Sequence, residues 1–275
     1  MSLLNDTLAL YKALFQAHPL LLPLVSGILG LFIGSFLNVI ALRIPKKESF
    51  VYPPSHCVHC HHRLGALDLI PVFSYVLLGG KCRYCKAPIS RIYPFGEFVT
   101  AIFFAITSGV IGLKPELLVG LFLVAILSAI TLTDVKYMLI PDKIMIFAVA
   151  VGLILRLFIH GLPLWNYGVA ALVGGGLLYG IAWASEFFMK KEGMGGGDIK
   201  LFAFLGLMLG IKLTLLTIFA ASLFGLIGGL ILLKSSGQTR DAHIPFGPFI
   251  ALGAICCYLW GDACIRAYID LLIAI

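Results

Sequence analysis

Charge is scarce in this chain. Only 12% of its 275 residues are Asp, Glu, Lys or Arg, while 60% are apolar, and mean hydropathy is +1.04. That balance excludes a soluble globular domain, and equally a soluble enzyme on one anchor; it describes a chain that crosses a bilayer several times. Acids are scarcer than bases, 13 against 20. In such a chain the net charge of +7 is read by location, because Lys and Arg beside spans set orientation; it is not a signature of nucleic-acid binding. A convincing secretory signal is missing, since Asp6 precedes Lys12 and no small-residue cleavage site follows a basic start. The first apolar run is therefore expected to stay in the mature protein. Also missing are a glycine-rich dinucleotide loop after a strand and any evident internal repeat.

What is present is a succession of apolar runs, at about 19–42, 93–113, 117–133, 144–159, 167–189, 199–212, 213–233 and 245–268. Roughly 20 apolar residues cross a bilayer as a helix. The expected fold is an all-α polytopic membrane protein of about eight transmembrane helices, in which the short run 199–212 must thin the bilayer or be sheltered by its neighbours. Between the first two runs lies the one sizeable polar segment, with Arg43, Lys46, Lys47, Arg63, Lys81, Arg83, Lys86 and Arg91 against Glu48 and Asp68. The positive-inside rule puts it in the cytoplasm, and eight crossings then leave both termini outside. Three regions are expected: 1–42, an N-terminal transmembrane helix; 43–92, a small cytoplasmic domain; and 93–275, the remaining transmembrane domain.

The cytoplasmic segment carries Cys57-x-x-Cys60 and, after 21 residues, Cys82-x-x-Cys85. Four thiolates in two such pairs match a tetrahedral structural Zn²⁺ site with no open position, and a reducing compartment argues against disulfides. Metal would also hold together a segment too small for a core of its own. His56, His59, His61 and His62 crowd the first pair and are read as solvated loop residues, with replacement of a thiolate as the alternative. Cys256, Cys257 and Cys264 sit in the last run and are read as small apolar side chains.

Acids at the membrane edge carry the chemistry. In Gly193-Met194-Gly195-Gly196-Gly197-Asp198, an aspartate and four glycines lie between two apolar runs. A carboxylate near hydrocarbon is by default a functional hypothesis, and Gly195, Gly196 and Gly197 let another backbone come close, for example an extended substrate. The alternative is a loop in which Asp198 caps the next helix. Asp134 and Asp142 flank a second polar island, and in this topology all three aspartates face the cytoplasm. Two carboxylates brought together would share a proton, one polarising water while the other donates, which suffices to hydrolyse a peptide bond without metal. Glu97 reads equally as an interface residue or a site residue, and Gly34, Ser35 and Asn38 as helix-packing positions.

Along nearly its whole length the chain resembles the type IV prepilin peptidases. The motifs, in order, are Gly34-Ser35-Phe36-Leu37-Asn38-Val39 with Arg43 and Pro45, both cysteine pairs, Thr133-Asp134 with Leu139-Ile140-Pro141-Asp142, Gly195 to Asp198, and Pro245-Phe246-Gly247-Pro248. The resemblance implies a bacterial inner-membrane aspartyl protease in which Asp134 and Asp198 are the catalytic pair, while Asp142 is expected to cap the helix after Pro141. Its implied substrates are prepilins or pseudopilins, cut at the cytoplasmic face after the glycine that ends a short basic leader. It also implies N-methylation of the new N-terminal residue by S-adenosyl-L-methionine, with Gly80 and Lys81 at a position linked to methyl transfer. The alternatives are a peptidase without methylation, a nonenzymatic assembly factor, and a zinc-domain transporter using the aspartates as a proton relay.

Overall fold

The computed structural model describes residues 15, 17–190, 195–236 and 244–273. Its helices are α1 (Leu21–Arg43), α2 (Phe73–Leu77), α3 (Ile92–Ile111), α4 (Glu116–Tyr137), α5 (Asp142–Phe158), α6 (Leu164–Met189), α7 (Gly196–Leu209), α8 (Ile211–Ser236) and α9 (Gly247–Ile273), with a 3-10 turn at Ala66–Asp68. Among the described residues there is no strand, only two isolated bridges, His56 with Arg63 and Lys81 with Pro88. All eight apolar runs form helices. Six of these are long and apolar enough to cross a membrane: α1, α3, α4, α6, α8 and α9. The 17 residues of α5 and 14 of α7 extend only about 26 and 21 Å at 1.5 Å per residue, short of a hydrocarbon core of about 30 Å.

The chain forms two compact units, up to Leu132 and from Thr133. In the first, α1 lies against α3 so closely that a Cβ on Gly34 would sit 2.8 Å from the Cα of Glu97. This is the small-residue packing expected of that motif. Asn38 Nδ2 donates to the Tyr93 carbonyl at 3.1 Å and more weakly to Glu97 Oε1 at 3.5 Å. Glu97 is thus not an interface residue, because it is only 8% exposed. Its second oxygen accepts the Val72 amide at 2.8 Å, and Ser35 reaches the same carboxyl group. Val72 has a left-handed backbone, φ 63° and ψ −50°, closing a γ-turn in which Phe73 N–H donates to the Pro71 carbonyl at 2.6 Å. Such a backbone costs on the order of 1–3 kcal/mol at a β-branched residue, which the bond to Glu97 offsets.

The second unit is built around α7. Leu201, Phe202, Phe204, Leu205 and Met208 are all buried, and α7 packs on α5, α6, α8 and α9. Gly206 lies against the backbone of Ala170, and a Cβ on Gly174 would fall 2.6 Å from the Phe202 carbonyl. Protein therefore shelters the short helix, as its length requires. The break after α7 is satisfied by side chains. Gly210 turns with φ +78°, Asn166 Oδ1 accepts the Ile211 amide at 3.1 Å, and Arg156 Nε donates to the Met208 carbonyl at 3.0 Å. Arg156 is buried with its guanidinium 4.8 Å from the centre of the Tyr167 ring. A cation at the carbonyl end of α7 also complements the helix dipole.

Candidate active site and metal centre

Asp134 stands on α4. The apolar run was expected to stop at residue 133, but the helix continues to Tyr137, so Asp134 is held by helical backbone rather than by a loop. It is 8% exposed, and its Oδ2 accepts the amide of Gly247 at 2.7 Å. Gly247 is the first residue of α9, where free N–H groups gather. No Cβ fits there, since it would lie 2.7 Å from the same oxygen.

Asp198 occupies the first turn of α7 without capping it: Gly195 is the cap residue, and no side-chain cap bond forms. Burial first, and then the charge of Asp134, push the Asp198 carboxyl up to about 6. Asp134 is thus brought within electrostatic reach of Asp198, across 64 residues of sequence (198 − 134). A Cβ on Gly197 would fall 2.9 Å from Cβ of Ile140, whereas among the described residues nothing lies within 4 Å of the corresponding point on Gly196, and Gly195 meets only Asp198 Oδ2 at 3.9 Å. Gly197 is therefore a packing contact. Gly193 and Met194 fall outside the described residues.

Asp142 has a different partner. It lies in the first turn of α5, whose cap residue is Pro141, and its Oδ1 takes Lys200 Nζ at 2.6 Å. The expected capping role is replaced by an ion pair, because Lys200 on α7 reaches the carboxylate first. Ile140 thus packs against α7 at Gly197, and Asp142 reaches Lys200 at its exposed surface.

In the first unit the sulfurs of Cys57, Cys60, Cys82 and Cys85 all lie within 4.8 Å of one another. Cys57 and Cys85 Sγ are 3.8 Å apart, the edge of a tetrahedron with metal–sulfur bonds of about 2.3 Å. The two pairs fold alike. His61 N donates to the Cys57 carbonyl and Cys57 N to that of His62; Lys86 N and Cys82 N repeat this with Cys82 and Ala87. His61 and Lys86 share a left-handed backbone, φ 55° and 59°. Amides of Cys60 and then His59 pull the Cys57 thiol down to about 6. For Cys85, the Ala87 amide pulls down, but desolvation and the sulfurs of Cys60, Cys82 and Cys57 push it up to about 11. Four sulfurs so close ionise together only around a cation, and this donor set fits one. His62 lies against Tyr84 with ring centroids 3.6 Å apart and planes tilted by 34°, and His56 Nδ1 lies 3.1 Å from the Pro54 carbonyl.

Gly80 turns with φ +71° beneath the Tyr75 ring, whose hydroxyl would be 2.9 Å from an added Cβ. Lys81 is exposed.

Two family models match this arrangement in order: the bacterial peptidase A24 N-terminal domain over residues 28–110 and the type IV leader peptidase family over 121–230. A protein named prepilin leader peptidase/N-methyltransferase from Bacillus subtilis is 36% identical over 244 residues, covering 89% of this chain and 96% of the relative. One of the same name from Pseudomonas aeruginosa is 34% identical, covering 92% and 96%. This chain belongs to the type IV leader peptidase family. A further member, from Legionella pneumophila, is 32% identical over 94% of this chain and 98% of its own. No solved structure gives a significant match. Within the family frame, the leader-peptidase match holds Asp134 and Asp198 and the N-terminal match holds all four cysteines. Gly247 lies outside both.

The sequence reading gave Gly247 no role. Its signal was the local pattern Phe246-Gly247-Pro248, a glycine and a proline opening a helix, which marks a helix start but not what the start faces. Arg156 was missed altogether, as one cation inside an apolar run.

Proposed function

We propose that this enzyme removes the short basic leader of prepilins or pseudopilins by a two-aspartate mechanism and then N-methylates the new N-terminus. Family membership supports the class of reaction. The observation that carries the mechanism is the approach of Asp134 and Asp198 within one compact unit, with Asp142 engaged by Lys200 instead.

The hydrogen bonding supports a division of labour. Asp134 Oδ2 accepts the Gly247 N–H, a bond that favours the ionised carboxylate, whereas Asp198, held up to about 6, keeps a proton in mildly acidic conditions. Asp134 then takes a proton from water as the water oxygen adds to the scissile carbonyl carbon, and Asp198 protonates the carbonyl oxygen. Collapse of the resulting diol breaks the C–N bond. The proton held by Asp134 passes to the leaving amine, and a diol proton returns to Asp198. Gly195 and Gly196, with no Cβ of their own, suit the close approach of an extended substrate backbone.

In the same reading Cys57, Cys60, Cys82 and Cys85 hold Zn²⁺ as a structural ion that fixes residues 43–92 and takes no part in the reaction. S-adenosyl-L-methionine supplies an electrophilic methyl group for the new amine. Gly80 and Lys81 are assigned to this second activity on family resemblance alone. The regions 1–42, 43–92 and 93–275 serve as membrane helix, metal domain and peptidase domain. The chain sits in the bacterial inner membrane with both termini periplasmic and its active site cytoplasmic, as the cationic segment favours.

Mass spectrometry of a purified prepilin incubated with the enzyme, with and without S-adenosyl-L-methionine, tests both activities. Leader loss followed by one cofactor-dependent methyl increment is expected, with Asp134→Asn and Asp198→Asn each slowing cleavage by about a thousandfold. Cleavage at the wild-type rate in either variant overturns the mechanism.

A further inference from the structure

The turn that opens α2 is fastened below the surface of the membrane helices. Val72 N–H bonds to Glu97, the sixth residue of α3 and thus about 8 Å along its axis. The same carboxylate meets Asn38, which stands an equal distance before the end of α1 at Arg43. From that anchor α2 presents Phe73, Val76 and Leu77 outward, 61, 68 and 83% exposed, at the i, i+3, i+4 spacing of a single helix face. Its other two positions, Ser74 and Tyr75, are half-buried. Ser74 Oγ donates to the Ile70 carbonyl and the Tyr75 hydroxyl to that of Ile89. Lys46 and Lys47 just beyond the end of α1, and Arg91 just before the start of α3, are all exposed.

We infer that α2 is an interfacial element whose Phe73, Val76 and Leu77 enter the phospholipid leaflet at the edge where α1 ends and α3 begins. The Val72–Glu97 bond sets the depth at which α2 begins, and the five residues of α2 extend only about 7.5 Å, no farther than the level where α3 begins. The apolar face then meets the acyl–headgroup boundary, as amphipathic surface segments do. The three cations complement anionic headgroups at the same level. By this contact the metal-binding segment lies along the bilayer instead of projecting from it. The inference concerns membrane contact alone and stands independently of the peptidase mechanism.

The test replaces Phe73 and, separately, Leu77 with photoreactive p-benzoylphenylalanine in the full-length protein. Each variant is reconstituted in nanodiscs of phosphatidylcholine and radiolabelled phosphatidylglycerol and then irradiated. Phe32, which is exposed on α1, serves as the lipid-facing reference and His59 as the background. Phospholipid labelling at both positions within about twofold of the Phe32 variant is expected for residues at that depth. Cross-links from 73 and 77 to peptides of this chain or of a second copy, or labelling no higher than at His59, overturn the proposal. The two positions check each other, since Phe73→p-benzoylphenylalanine nearly preserves the native ring.

Discussion

The amide of Gly247 donates to Oδ2 of Asp134 at 2.7 Å, across 113 residues of sequence (247 − 134). The first turn of α9 thus sets the rotamer of an aspartate on α4, and it leaves no room for a side chain at 247. Gly247→Ala is expected to lower kcat/KM for prepilin cleavage by about 100-fold, as displacement of a reacting group does, with KM little changed. Wild-type kcat in that variant would show that the amide does not position Asp134.

Gly197 and Ile140 form the second constraint, with a Cβ at 197 falling 2.9 Å from Ile140. Gly197→Val should therefore push the start of α7 away from the segment before α5. Overpacking of this kind costs about 1–3 kcal/mol, and cleavage is expected to fall by about tenfold or more while the protein still elutes as a folded species. Unimpaired cleavage would show that α7 does not need this contact.

The third aspartate provides the contrast. Asp142 and Lys200 are both well exposed, at 66 and 54%, and pairs of that kind contribute about 0–1 kcal/mol. Asp142→Asn and Lys200→Met should each keep prepilin cleavage within about fivefold of wild type. A loss as deep as that of Asp198→Asn would reassign Asp142 to the reacting pair.

Burial and the charge of Asp134 raise Asp198 from 3.8 to about 6. The protonated form that donates to the carbonyl oxygen is present below that value and disappears as pH rises through it. The alkaline limb of the kcat/KM profile should then fall with an apparent pKa near 6, a property of the pair rather than of one residue. Cleavage that keeps rising well above this pH would remove Asp198 from the role of acid.

Elemental analysis of the purified protein should find about one zinc per chain, lost in Cys82→Ser, since structural sites need all four ligands. Limited proteolysis within residues 43–92 should accelerate on chelation. A metal-free preparation with unchanged protease resistance would show that the four sulfurs need no ion.

Much of this was legible because the signals are local. Eight apolar runs gave eight helices, and the spacing of Cys57, Cys60, Cys82 and Cys85 brought four sulfurs together as expected. What composition hides is which polar groups meet across the fold. Asp142 looks as available as Asp134, yet in the fold it pairs with Lys200 on α7. Glu97 sits near a helix start like an interface residue, but the glycines of α1 bring α3 close enough to bury it. Arg156 carries no local motif at all; its reason is the broken end of α7, which is a property of the packed unit.

The fastening of Val72 to Glu97, which Asn38 also contacts, bears on how the protein can be taken apart. A fragment cut at 43 and 92 would keep its four cysteines but shed the carboxylate that holds the strained turn at Val72. Chimeras that exchange the cysteine segment between relatives should therefore carry α1 and α3 along with it. The transplantable module is the segment together with the two helices that grip it.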